Sequence, residues 1–223
     1  MTMKTYNYPQ DKAALQGVKH LRGNLHISGI GGYVITAGAD NWHLHGLEEL
    51  VSISGHLRIE RNPGLQSLRG LRKLRSVDYI IISKNPRLRT LEGLENLWTV
   101  DSLIRICRND GLKSLRGLEG LKETSDVTIY ENPILESFEG LQNLAVVGHL
   151  LISRNPRLRS LIEMRALKVI KGVFQTQGNS SMSSIQLRNL TDVGRVDVEV
   201  VQKVGGAQLS LLKQPLTLTP DKP

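Results

Sequence analysis

One cysteine, Cys107, stands among 223 residues. No disulfide can close within the chain, so the fold needs no oxidising compartment. Aromatic residues amount to 4%, so a core must be assembled from Leu, Ile and Val, as in a narrow stack. No apolar run approaches the ~20 residues of a membrane-spanning helix. The opening M-T-M-K-T-Y-N-Y-P-Q-D-K has no apolar stretch of the secretory kind. The expectation is a cytoplasmic protein, or one exported without a Sec-type signal, with no membrane span. No nucleophile elbow and no metal-ligand cysteine pair occur in the text. Gly29-Ile30-Gly31-Gly32 is not followed by Lys-Ser/Thr and reads as a turn rather than a phosphate cradle. His43 and His45 share a strand face by spacing, but a third metal ligand is missing. The expectation is therefore a protein with no enzymatic activity, no metal and no cofactor.

The net charge is +8. The cations are dispersed among acids and form no basic tail, which describes a solvated basic surface open to acidic partners.

What the chain does have is a repeat. Asn62, Asn85, Asn109, Asn132 and Asn155 recur at intervals of 23, 24, 23 and 23 residues, and all but Asn109 precede Pro. A fixed period of this length marks a solenoid of stacked coils. Five and three residues before each Asn stand Leu57/Ile59, Ile80/Ile82, Ile104/Ile106, Val127/Ile129 and Leu150/Ile152. This alternation is that of a strand. Leu or Phe follows at three and six residues past the Asn, then Gly-Leu-x-x-Leu and a Val-type lead-in to the next strand. The Asn sits on schedule among apolar positions. Its amide is expected to be buried and to bond backbone groups left open where the chain leaves the strand, a structural ladder that satisfies itself by stacking.

The domain reading is an N-terminal cap over 1–24 with a short helix near Asp11–Val18, a solenoid over 25–200 of about seven coils with an irregular insertion at 28–43, and a C-terminal cap and tail over 201–223. Solenoid ends need such caps.

V-x-x-I-x-I-x-x-N-P-x-L-x-x-L-x-G-L-x-x-L resembles a leucine-rich repeat of the receptor L-domain type, over roughly residues 18–200. Such domains occur in receptors of the insulin and epidermal-growth-factor type and in bacterial relatives. The resemblance implies an α/β leucine-rich-repeat-type solenoid, a right-handed single-stranded β-helix with one parallel sheet and coils of about 23 residues. It also implies protein binding through the strand sheet.

The outward strand positions give the candidate site. Arg58, Tyr79, Ile81, Leu103, Arg105, Tyr130 and Leu151 fall on one side, opposite the core-facing Ile and Leu. A partly apolar centre with cations reads as a protein-binding surface. Arg61, Lys84, Arg108, Glu131 and Arg154, one before each Asn, form a mostly basic border. The expected function is a non-catalytic binding or scaffold module for a protein, preferably one with an acidic patch, with a glycan as second choice. Two alternatives stand beside it. Asp78 and Asp101, about 5 Å apart on stacked coils, would give a polysaccharide-active β-helix enzyme. The basic border would give a nucleic-acid binder, disfavoured by the scarcity of stacking aromatics. Cys107, two before Asn109, is expected to point outward as an accessible free thiol.

Overall fold

A computed structural model of the chain describes residues 3–31 and 44–198. Ten strands pair in parallel: β1 (Thr5–Tyr8), β2 (His20–Leu21), β3 (Asn24–Ser28), β4 (Ser52–Glu60), β5 (Ser76–Ser83), β6 (Thr99–Cys107), β7 (Glu123–Tyr130), β8 (Val146–Ser153), β9 (Val169–Gln177) and β10 (Asp192–Val198). Their order in the sheet is β1-β3-β4-β5-β6-β7-β8-β9-β10, with β2 beside β4. From β3 onward sequence neighbours are sheet neighbours, and from β4 to β10 each connection is one complete coil. The eight strands β3 to β10 stack as about eight turns, close to the seven or so read from the repeat. Among the described residues helix is confined to α1 (Lys12–Leu15) and one 3-10 turn at Arg69–Leu71. None is long and apolar enough to cross a membrane.

The strands form where β-branched residues alternate with others. Ile80, Ile82, Ile104, Ile106, Val127, Ile129, Leu150 and Ile152 all face inward and are buried. The return arms meet them with Leu68, Leu91, Leu115, Phe138 and Leu161, none of which is exposed at all. Burying each such side chain stabilises by about 1.5–3 kcal/mol. The arms close tightly at Gly93, Gly117 and Gly140, where φ is +112° to +115°. A Cβ at Gly117 would lie 2.1 Å from the Leu91 carbonyl oxygen of the coil before. No other residue fits both that φ and that approach.

The unequal repeat lengths have a location. Val77 and Ile80 are three apart, whereas Val100 and Ile104 are four apart. The β5–β6 register shifts between these two pairs. The extra residue of the 24-residue coil is therefore a bulge between lead-in and strand. Ile170 and Phe174 repeat the arrangement, with a shift against β8. β7 and β8, both with the shorter spacing, pair without one.

At the N-terminal end, β1 extends the sheet beyond β3, a strand not expected in a polar cap. Tyr8 at its end is fully buried, and its hydroxyl donates to the His45 carbonyl at 3.1 Å. The helix is shorter than Asp11–Val18. Of the 28–43 segment, Ser28 ends β3 and Gly31 lies against the Gly64 backbone. Residues 32–43 and the expected C-terminal cap and tail lie outside the described residues.

Candidate functional site

The asparagines form a continuous buried column. Asn62, Asn85, Asn109, Asn132 and Asn155 are fully buried. Each Oδ1 of the later four accepts from the backbone N–H of the Asn one coil earlier, at 3.1–3.2 Å. Each Nδ2 donates back to the strand-end carbonyl of the earlier coil: Asn85 to Ile59, Asn109 to Ile82, Asn132 to Ile106, Asn155 to Ile129. Asn179 continues the column by accepting from the Asn155 N–H at 2.9 Å. The turns that leave β4 to β8 are thus each closed by the next coil's amide.

On the outward side the register sets three rows across the sheet. The middle row runs His26, Arg58, Ile81, Arg105, Thr128, Leu151, Gln175. To one side lie Glu60, Ser83, Cys107, Tyr130 and Ser153. To the other lie His56 with Tyr79, and Leu103 with Asp126 and His149. Tyr79 stacks on His56 with ring centroids 3.6 Å apart, and its hydroxyl accepts from Arg58 at 2.8 Å. Tyr79, Leu103, Arg105, Tyr130 and Leu151 are half-buried and Arg58 is exposed. The Nε of Arg105 is buried without a hydrogen-bond partner.

Two outward residues are less accessible than the alternation implies. Ile81 is only 9% exposed and Cys107 only 4%. Alternation gives the side of the sheet, not the height of the neighbours. Ile81 lies between Arg58 and Arg105 in register, and Cys107 lies between Ser83 and Tyr130. Cys107 is a free thiol on the outward face, but it is covered rather than accessible. Its side chain is hydrogen-bonded to Tyr130. Burial pushes the thiol above its ordinary range, against smaller lowering influences from that bond and the nearby Arg108 and Arg105.

The border beside the Asn column holds a feature that sequence reasoning placed only as a rim. Arg61, Lys84, Arg108, Glu131 and Arg154 all adopt left-handed backbone, φ +53° to +57°, and Gly178 takes the same place in the next coil with φ +65°. A non-glycine residue in this conformation costs about 1–2 kcal/mol. The chain turns there because the column must receive the following Asn. Long charged side chains are carried at a position glycine fills more cheaply. Beyond them, Pro63, Pro86, Pro133 and Pro156 are exposed, with Asp110 at the same place in the coil between Pro86 and Pro133. Together with Asp110 these residues line an open groove of about 910 Å³. Glu131 bridges Arg108 at 2.6 Å and Arg154 at 2.9 Å. Hydrogen bonds from these two guanidiniums hold its carboxyl below the ordinary range. The windows 61–66, 84–89, 108–113, 131–136 and 154–159 hold nine Lys or Arg and three Asp or Glu. Of these charges the groove itself is lined by four cations, Arg61, Lys84, Arg108 and Arg154, and two carboxylates, Asp110 and Glu131.

Asp78 and Asp101 are engaged differently. The Asp78 carboxylate accepts from Ser102 Oγ at 2.6 Å and lies 3.6 Å from His56 Nε2. Asp101 is exposed, and it is its backbone carbonyl that accepts from Ser125. Among the described residues no hydrogen bond joins the two carboxylates. His149, at the repeat position of His56, accepts the Val173 N–H at 2.9 Å, where the β8–β9 register shifts.

No protein-family model, no curated protein and no solved structure matches the chain.

Proposed function

We propose that the chain is a non-catalytic binding module of the receptor-L-domain-like leucine-rich-repeat type, whose outward strand face recognises a protein with an acidic patch. The repeat text supports the family and the parallel solenoid agrees with it. The observation that carries the binding reading is Arg105. It lies half-buried in the middle row beside Ile81, with an unpartnered Nε. A buried donor without an acceptor is costly to the free protein. A carboxylate on a partner, drawing the guanidinium outward, would relieve that cost. Leu103, Tyr130 and Leu151 add apolar and aromatic area of the kind that anchors interfaces.

The test compares capture by the native chain with capture by Arg105→Glu and Arg72→Glu, the latter an exposed cation on the return arm. Arg105→Glu should weaken partner binding by about 2 kcal/mol or more, as at a hot spot, with Tm nearly unchanged. Arg72→Glu should bind like the native chain. Equal binding by all three would remove the strand face from consideration.

A further inference from the structure

The geometry points to a second binding site, in the groove along the Asn-Pro turns, for an extended acidic polysaccharide of the uronate type. This inference does not rest on the strand-face reading. The groove crosses six coils, from Arg61 to Gly178. Coils stack about 4.8 Å apart, so its length is about 24 Å. Its floor is two pairs of exposed prolines, Pro63 with Pro86 and Pro133 with Pro156, separated by Asp110, and its wall holds four cations, Arg61, Lys84, Arg108 and Arg154, with Glu131 between the last two. That combination suits a polymer whose monomers offer an apolar ring face to the floor and a carboxylate to the wall. The pyranose unit of an extended acidic glycan has both, and its length is close to one coil step.

The other linear polyanions fit less well. An extended acidic peptide repeats its side chains on one face every ~6.8 Å, out of step with the coils. It would also need backbone partners. The backbone N–H groups of the wall residues are already committed: Arg61 to Ser83, Lys84 to Cys107, Glu131 to Ser153 and Arg154 to Gln177. A single-stranded nucleic acid binds by stacking bases on aromatic side chains, and no aromatic residue lines this groove.

The wall has two halves. Arg61 and Lys84 form no salt bridge among the described residues. Arg108 and Arg154 share Glu131. Ligand carboxylates meet the first pair directly and take the place of Glu131 on the second. The left-handed backbone supplies the test. Glycine suits positions 61 and 84, as Gly178 shows in its own coil. Arg61→Gly with Lys84→Gly removes two cations while relieving backbone strain.

The experiment is calorimetric titration of the full chain, at low and moderate salt, with an oligogalacturonate long enough to span six coils. Its comparators are a neutral oligosaccharide of equal length, polyglutamate and oligo-dT. The native chain should bind the oligogalacturonate, more weakly as salt rises, and should not bind the neutral sugar. The double glycine variant should bind at least about tenfold more weakly, as expected for losing charge-assisted contacts, with Tm equal or higher. Glu131→Gln should bind more tightly, and Arg105→Glu should bind like the native chain. The proposal falls if the oligogalacturonate does not bind, or if the double glycine variant binds it as well as the native chain. It falls equally if polyglutamate or oligo-dT binds more tightly than the glycan. Weakening by Arg105→Glu as large as that of the double variant would move the glycan to the strand face. An unchanged affinity in Glu131→Gln would refute the displacement of Glu131.

Discussion

Replacing Asn109 by Ala removes one rung from the middle of the column. Its Oδ1 accepts the Asn85 N–H at 3.1 Å, and its Nδ2 donates to the Ile82 carbonyl at 2.9 Å. Other contacts have substitutes: the Cys107 carbonyl also accepts from the Lys84 N–H, and Asn132 Oδ1 keeps the Asn109 N–H. Two buried groups are thus left without their column partner, at about 1–3 kcal/mol each. The expected loss is about 2–6 kcal/mol, a large part of a domain's usual 5–15. Urea unfolding followed by far-ultraviolet circular dichroism measures it, with the m-value checking that the transition stays of one size. A loss below about 1 kcal/mol at unchanged m would mean that the column does not close the turns. Asn109→Asp sharpens the test through pH. The new carboxylate would face the oxygen atoms of Ile82, Cys107 and Asn132 that Nδ2 now meets. Its folded pKa should be raised above the unfolded value near ~3.9. The variant should therefore be least impaired below that value, and should lose stability as pH rises towards the folded pKa.

Three further outcomes are expected. Cys107 should react slowly with a thiol reagent in the native protein and quickly in denaturant, with the native rate climbing only above the ordinary thiol range, since burial raises its pKa. Tyr130→Ala should uncover the thiol and speed native labelling, and no change in rate would mean that something other than Tyr130 covers it. Gly117→Ala should cost about 3 kcal/mol or more, because its Cβ meets the Leu91 carbonyl at a left-handed φ and such strain belongs to the large-effect class. Calorimetry should then show Tm lower by roughly 6–12 °C, and a smaller shift would show that the return arm yields.

The stack and its column were legible because both are periodic. Five Asn on one schedule, flanked by strand alternation, admit few arrangements in which a polar amide is buried and satisfied. The alternation also put Arg58, Ile81, Arg105 and Leu151 in one row, as the register has it. The burial of Cys107 is not legible in the period, because it depends on how far the side chains beside it in register, Ser83 and Tyr130, reach over it. The strand β1 was missed because Thr5 to Tyr8 lies outside the repeat and carries only one core residue. The turn groove was half visible. Its charges could be read from the text, but not the left-handed backbone beneath them, since Arg, Lys and Glu are not the residues that signal it.

The bulge between lead-in and strand gives the stack a place to hold slack. A residue gained or lost there alters the pitch of one lead-in and leaves both the inward Ile pair and the following Asn where the next coil needs them. The coils ending at Asn109 and at Asn179 each carry such an addition, and the column passes through both unbroken. A residue inserted four positions later, between strand and Asn, would instead turn the amide away from its neighbour and reverse the face of the side chains around it. Tandem copies of this unit can therefore drift in length without losing alignment, provided that the drift is confined to one site per coil.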